Sequence, residues 1–165
     1  MYSFDYHKAT SLADAVQKLS EDDEARLLAG GQTLIPTLKQ RRAMPTSLID
    51  ISRIDYLTFI RLDTDTLVIG AATSHATVAA SQICIDKIPA LADLASHIGD
   101  PAVRHRGTLG GSIANNDPSS DYPAAALALG ATIVTTTREL SADEFFTGLF
   151  ETALQPGEIV SAVRF

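Results

Sequence analysis

The sequence has one cysteine, Cys84, among 165 residues. A single thiol excludes an intrachain disulfide, and it excludes an iron–sulfur cluster held by this chain alone. Its flanks, Ser81-Gln82-Ile83 and Ile85-Asp86, suggest a buried structural thiol. Positive charge is also scarce: 13 Lys and Arg against 20 Asp and Glu leave a net charge of −7. That balance argues against a general nucleic-acid binder. No apolar run approaches the ~20 residues that span a bilayer. The opening Met-Tyr-Ser-Phe-Asp-Tyr has no basic segment followed by an apolar one, so no secretory signal is visible. A reducing cytoplasm is the expected compartment. Neither Gly-x-Gly-x-x-Gly nor a phosphate-loop Gly-Lys-Ser/Thr occurs. No His/Glu/Asp spacing resembles a zinc site, and no nucleophile elbow or Ser-His-Asp arrangement is apparent.

What remains is an ordinary globular composition, 45% hydrophobic and 20% charged, of a length that suits one domain or two small lobes sharing a core. One stretch stands apart. Arg104 to Pro123 starts basic, turns glycine-rich and ends in small polar residues with two aspartates. It has no long apolar run and reads as a loop. Gly107, Gly110 and Gly111 are read as free to take positive φ, so that successive N–H groups form an anion-binding nest. Thr108, Ser112, Asn115 and Asn116 add short donors, and Asp117 and Asp121 add acceptors for hydroxyls. Phosphate donors beside hydroxyl acceptors suggest a nucleotide. The same residues also fit a Gly/Asn turn leading into a capped helix, with Asp121 as its cap.

A second segment, Leu27 to Pro36, runs from an apolar strand through Gly30-Gly31 into a helix, where free N–H groups suit a phosphate. Five basic residues lie near these segments: Lys39, Arg41 and Arg42 after the first, Arg104 and Arg106 around the second. The first three equally suit a helix C-terminus.

In chain order, Ser3 to His7 reads as a strand, and Ser11 caps a helix with a Leu12, Ala15, Val16, Leu19 stripe. Glu21 to Glu24 is a solvated turn, 25–29 a strand, and a helix begins at Thr33 and stops before Pro45. Ser47 to Ile51 is a strand that completes an α/β lobe ending near Asp55. A hairpin then pairs 58–62 with 66–71 around Asp63-Thr64-Asp65. Helices follow at 73–81 and 88–98, and Gly99-Asp100-Pro101 leads into the glycine loop. A helix over 121–129 ends at Gly130, then come a strand over 131–137, a helical turn at 143–146 and a last strand over 158–165. The expected fold is α/β (α+β): a small α/β lobe, about 1–55, and a larger mixed lobe with an antiparallel sheet, about 56–165.

The pair Ala-Gly-Gly-Gln-Thr-Leu-Ile-Pro (29–36) and Thr-Leu-Gly-Gly-Ser-Ile-Ala-Asn-Asn-Asp-Pro-Ser-Ser-Asp-Tyr-Pro (108–123) resembles the two FAD-binding signatures of the molybdenum hydroxylase family. The likeness is to the medium, FAD-binding subunit of carbon monoxide dehydrogenase and xanthine dehydrogenase-type enzymes. Phe4-Asp5-Tyr6-His7 and Pro156-Gly157-Glu158-Ile159-Val160 fit the same family in the same order.

The resemblance implies that Ala29, Gly30, Gly31, Gln32, Thr33 and Leu34 wrap the FAD pyrophosphate. Many relatives carry His-Ser at the Gln32-Thr33 position; both pairs form hydrogen bonds. Thr108, Gly110, Gly111, Ser112 and Asn115 would serve the second phosphate and the ribityl chain, with Asp121 accepting from a ribityl or ribose hydroxyl. Ile98 and Gly99 would lie near the cofactor, and Val160 against the flavin, unless it is a plain core residue. His75 is read as a structural helix-start histidine that could approach the flavin.

The implied role is electron relay. A molybdenum-cofactor large subunit oxidises the substrate and a small subunit with 2Fe-2S clusters passes electrons on. FAD on this chain hands them to NAD, a quinone or oxygen, in a heterotrimer. No organic substrate would be bound here. The family's further C-terminal domain is expected to be absent from this chain. A stand-alone flavin oxidoreductase and a non-catalytic flavin-binding scaffold remain alternatives. The first would need a substrate pocket of its own; the second would hold FAD that no partner reduces.

Overall fold

Two hydrophobic patterns in the sequence give two sheets and two cores. The computed structural model describes all 165 residues. At the start, β1 (Asp5–Lys8), α1 (Leu12–Ser20), β2 (Arg26–Leu28), α2 (Leu34–Lys39) and β3 (Ser47–Asp50) alternate along the chain. The strands form a parallel sheet in the order β1-β3-β2. Parallel neighbours need crossover connections, which α1 and α2 supply. Ser11 caps α1, its hydroxyl accepting from Asp14 N at 3.1 Å. The expected stripe of Leu12, Ala15, Val16 and Leu19 packs against Ile49 and Ile51 of the smaller core. The acidic turn is not merely solvated, because the Asp22 carboxylate accepts from Thr46 and Ser47 hydroxyls at 2.5 and 2.9 Å and ties the turn to β3.

The second sheet is antiparallel and five-stranded. Its strands are β4 (Ile60–Asp63), β5 (Thr66–Gly70), β6 (Thr132–Thr135), β7 (Glu139–Ser141) and β10 (Val160–Arg164), in the order β4-β5-β10-β6-β7. The expected hairpin joins β4 to β5, with Asp63 opposite Thr66 and Thr64 at φ 60 in the tight turn. The last strand of the chain is the middle of this sheet, so the sheet closes only on long-range pairing of β10 with β5 and β6. Val160, Ser161, Ala162 and Val163 are all buried. Against the sheet lie α3 (His75–Ala80), α4 (Gln82–Lys87), α5 (Pro89–His97), α6 (Pro101–Arg106), α7 (Leu109–Asn115), α8 (Asp121–Ala128) and α9 (Ala142–Phe145). A hairpin of β8 (Phe146–Gly148) and β9 (Glu151–Thr152) completes the lobe. The larger core joins Leu67, Ile69, Ile133 and Val163 of the sheet to Leu91 of α5, Ile113 of α7 and Tyr122 of α8.

The two cores meet at β10. Ile159 packs in the smaller core while its neighbour Val160 packs in the larger one. Leu57 and Ala72 also belong to the smaller core, so it draws on residues well beyond the first 55.

Several elements were not expected. α4, α6, β7 and the β8–β9 hairpin are each three or more residues of structure too short to show a period. α7 corrects the loop reading of 104–123. Its two glycines lower helix propensity, but Leu109 and Ile113, four residues apart, both point into the core.

At the entry to β10 the Glu158 carboxylate, 5% exposed, fixes the β6–β7 turn. It accepts from Arg138 Nε and Nη2 (2.9 and 3.0 Å), the hydroxyls of Thr135 and Thr137 (2.6 and 2.8 Å) and Gln155 N (2.8 Å). The Arg138 guanidinium, chiefly, holds this carboxyl far below the usual carboxylate range, against the opposing effect of burial. Arg138 is half exposed, so Glu158→Ala is expected to cost about 2–3 kcal/mol, less than the ~3–5 kcal/mol of a fully buried pair. The folded pKa lies below the unfolded one. The contribution is therefore complete above the ordinary value of 4.5 and lost as the pH falls below it. Urea denaturation across acid pH should show that fall in the natural protein and lose it in Glu158→Gln.

Candidate functional site

The second glycine segment is built from two helix ends. Asp100 caps α6, its Oδ1 accepting from Val103 N at 2.8 Å, with Pro101 in the first turn. From α6 the Arg104 guanidinium reaches back and donates to Ile98 O (3.1 Å) and Gly99 O (2.8 Å). Arg104 thus closes the end of α5 and is committed to the backbone rather than left for a ligand. Gly99 sits at φ +54, a left-handed position that suits glycine. Ile98 and Gly99 precede α6 and Gly107 follows it, so they lie about 9 Å of helix apart.

Thr108 then caps α7, its Oγ1 accepting from Gly111 N at 3.2 Å. The segment is stitched to the end of β5 and the start of α3. His75 N donates to Gly107 O (3.0 Å), Leu109 N to Thr73 O (3.0 Å) and Gly110 N to Ala71 O (2.8 Å). The N–H groups of Leu109, Gly110 and Gly111 are therefore all spent within the protein, and this segment is not an open nest. Nor does Gly107, Gly110 or Gly111 have positive φ. Gly107 and Gly110 are there for space. A Cβ on Gly110 would lie 2.4 Å from Ala71 Cβ, and one on Gly107 would lie 2.5 Å from His75 Nε2.

The first segment has the opposite character. The backbone N–H groups of Gly30, Gly31, Gln32, Thr33 and Leu34 find no acceptor in the chain. Gly31, at φ +71, makes the turn before α2 begins, and Ile35 N closes it onto Gly31 O at 3.0 Å. The two segments touch. A Cβ on Gly30 would lie 2.1 Å from Arg106 O and 2.7 Å from Gly107 Cα, and one on Gly111 would lie 4.0 Å from Ala29 Cβ. The free donors of the first segment thus line the edge of the second.

On the second segment the half-exposed Ser112 and Asn115 keep side chains with no partner in the chain. Asp121, exposed, is the first residue of α8, whose cap position is Ser120, so the reading of Asp121 as the cap does not hold. Two residues taken as donor and acceptor are used elsewhere. Asn116, left-handed at φ 43, donates from Nδ2 to Gly148 O and Glu151 O, both at 2.8 Å, and Asp117 accepts from Ser119. Val160 is 5% exposed inside the larger core.

Behind Gly107 stands a pair of which sequence reasoning named only His75. The rings of His75 and Tyr122 are 5.3 Å apart and tilted by 45°. Both are buried, and neither His75 Nδ1 nor the Tyr122 hydroxyl has a hydrogen-bond partner. Burial pushes the His75 imidazole down to about 4, with the Asp121 charge acting weakly the other way. Burial raises the Tyr122 phenol well above its usual range. The only sequence signal was Ser74, the helix cap that places His75 in a first turn, its hydroxyl accepting from Thr77 N at 3.1 Å.

Known proteins share this sequence pattern and this fold. A family model described as the FAD binding domain in molybdopterin dehydrogenase matches residues 2–165. The carbon monoxide dehydrogenase medium chain of Afipia carboxidovorans is 40% identical over 167 residues, covering 98% of this chain and 58% of that one. The glyceraldehyde dehydrogenase medium chain of Sulfolobus acidocaldarius is 38% identical, covering 98% and 59%. Among solved structures, carbon monoxide dehydrogenase from Hydrogenophaga pseudoflava superimposes with a TM-score of 0.96 at 42% identity, covering 99% of this chain and 58% of that one. Quinoline 2-oxidoreductase from Pseudomonas putida 86 does so with a TM-score of 0.96 at 34% identity, covering 99% and 59%. The chain thus spans less than two thirds of the length of the relatives it matches.

Two outcomes follow from the packing. Gly30→Ala must part the two segments, because backbone cannot yield as a side-chain tip can. A cost of about 1–3 kcal/mol in denaturant unfolding is expected. The second concerns His75. Its folded pKa, about 4, lies below the ordinary 6.5, so the unfolded chain takes up the proton first. Stability is then full above about pH 6.5 and falls by up to about 3 kcal/mol as the pH drops toward 4. His75→Phe should flatten that part of a stability–pH profile measured by urea unfolding.

Proposed function

The chain belongs to the family of FAD-binding domains of molybdopterin dehydrogenases, and from that membership we propose that it holds FAD across its two abutting glycine segments as the flavin-carrying part of a molybdenum-containing dehydrogenase. The observation that carries the placement is the run of five unspent N–H groups, Gly30 to Leu34, pressed against the segment that bears Thr108, Ser112, Asn115 and Asp121. The donor set fits the cofactor. A pyrophosphate needs several N–H donors without a side chain in the way, and hydroxyls need a nearby carboxylate with no other partner.

In this reading Ala29 to Leu34 bind the pyrophosphate, with Gln32 and Thr33 adding side-chain donors. Thr108 holds the rim through its backbone N–H, which has no acceptor in the chain. Ser112, Gly111 and Asn115 present the adjoining helix face, and the close Ala71 contact makes Gly110 a packing residue of that face. Asp121 accepts from a ribityl or ribose hydroxyl. Ile98 and Gly99 border the site from the far end of α6. Val160 supports it from inside the core rather than by open contact. Bound FAD supplies a ring that takes up and releases electrons; the residues here bind and orient it. No acid–base pair of this chain is needed for that task.

The relatives are medium chains and subunits of dehydrogenases. By the same reasoning the partners of this chain are a molybdenum-cofactor large subunit and a small subunit with 2Fe-2S clusters. Electrons pass from those clusters through FAD to an acceptor such as NAD, a quinone or oxygen.

The test is a titration of flavin-free, folded protein with FAD, followed by absorbance and flavin fluorescence. Binding of one FAD is expected, weakened about 10–100-fold by Asp121→Ala, the loss of a charge-assisted hydrogen bond, with unchanged unfolding behaviour because Asp121 is exposed. Folded protein that takes up no FAD would overturn the proposal.

A further inference from the structure

The buried His75–Tyr122 pair presents an energetic puzzle. A buried polar atom without a partner destabilises a fold, and an apolar pair of similar shape would remove that cost. Here two such atoms, His75 Nδ1 and the Tyr122 hydroxyl, belong to rings whose centres are 5.3 Å apart, beside a core built almost wholly of apolar side chains. Packing alone therefore does not explain a histidine at this position.

The placement of the ring does. His75 donates its backbone N–H to Gly107 O, and its Nε2 edge lies where a Gly107 side chain would be, 2.5 Å from that Cβ position. The preceding peptide, Arg106–Gly107, carries the Gly30 contact, with Gly107 Cα 2.7 Å from a Gly30 Cβ. Tyr122 backs the ring, and it follows Asp121 in α8. The imidazole thus lies between the phosphate half of the site and the carboxylate of its hydroxyl half. Of its two nitrogens only Nδ1 is sealed off from solvent; Nε2 also has no partner in the chain, yet it is not enclosed.

The proton position follows from elementary chemistry. A neutral imidazole carries one N–H, and a buried N–H without an acceptor costs more than a bare lone pair. The proton therefore belongs on Nε2, the nitrogen that reaches the surface. Resting on the FAD-binding reading above, we propose that His75 is a further binding residue of the site, whose neutral Nε2–H, beside Gly107, donates a hydrogen bond to an oxygen of the bound dinucleotide. Tyr122 is a positioning residue that holds the ring from behind and touches no cofactor. The glycine at 107 keeps the donor uncovered.

Two measurements decide this. Long-range 15N–1H NMR on flavin-free protein labelled at histidine nitrogen reads the tautomer without reference to cofactor. A neutral Nε2–H ring for His75 at neutral pH is expected; an Nδ1–H ring or an imidazolium would overturn the proposal. FAD titrations then compare variants. His75→Gln keeps a neutral N–H donor and is expected to bind within about threefold of the natural protein, whereas His75→Phe, a ring without a donor, is expected to lose about 10-fold. Tyr122→Phe keeps the ring that backs His75 and should raise the melting temperature, because it deletes a hydroxyl that has no partner. Equal FAD affinity in folded His75→Phe and natural protein would sink the donor role. Should the natural protein itself take up no FAD, the functional reading falls and the cofactor contact falls with it, while the NMR result still decides the state of the ring.

Discussion

The close contact of Gly30 with the Arg106–Gly107 peptide is the constraint on which the site depends. It joins the parallel lobe to the mixed lobe with no side chain between them. Each lobe has its own core and its own sheet, and where the two glycine segments meet the shared face consists of backbone. Backbone against backbone leaves a carbonyl and a Cα in contact and little room for adjustment. The geometry of the donors in the first segment is therefore set by the position of α6 and Gly107 in the second. Arg104 fixes one end of α6 by holding the carbonyls of Ile98 and Gly99, and His75 fixes the other through Gly107 O.

The two glycine segments look alike in sequence and do different work. Gly31 is needed for a left-handed turn that frees N–H groups. Gly107 and Gly110 are needed because His75 and Ala71 occupy the space a side chain would take. The hydrogen-bond partners decide between these roles. In the first segment the donors find no acceptor in the chain, and in the second they end on Thr73, Ala71 and Thr108. A ligand that bridges the segments would take its backbone donors mainly from the first and its side-chain partners mainly from the second.

Sequence reasoning recovered the alternation of β1, α1, β2, α2 and β3, the β4–β5 hairpin and the Ser11 cap, because each carries its own local pattern. It also singled out two segments that the fold brings into contact. It missed α7 for a physical reason: Gly110 and Gly111 lower helix propensity, and tertiary packing of Leu109 and Ile113 overrides the deficit. Short elements such as α4 and β7 left too few residues for a period. The commitments of Arg104 and Asn116 were not legible, because their partners are backbone carbonyls that only the fold brings within reach; Asp117 is held locally by Ser119, two residues on. The central place of β10 was equally hidden, since nothing local marks a final strand as the middle of a sheet.

That central place ties the site to the whole chain. Ile159 enters the smaller core and Val160 the larger, so insertion of β10 packs both lobes at once. Glu158, just before them, holds the β6–β7 turn through five hydrogen bonds that place charge and hydroxyls at the entry to the strand. The pairing is long-range, and the entropy of closing that loop must be offset before any of these contacts form. Ala71, at the end of β5, meets the second segment at Gly110 and receives Ser161 O from the strand after Val160 through its own N–H. The wall of the site nearest α7 is therefore complete only when the last strand is in place, and the binding surface is a property of the closed fold rather than of either glycine segment.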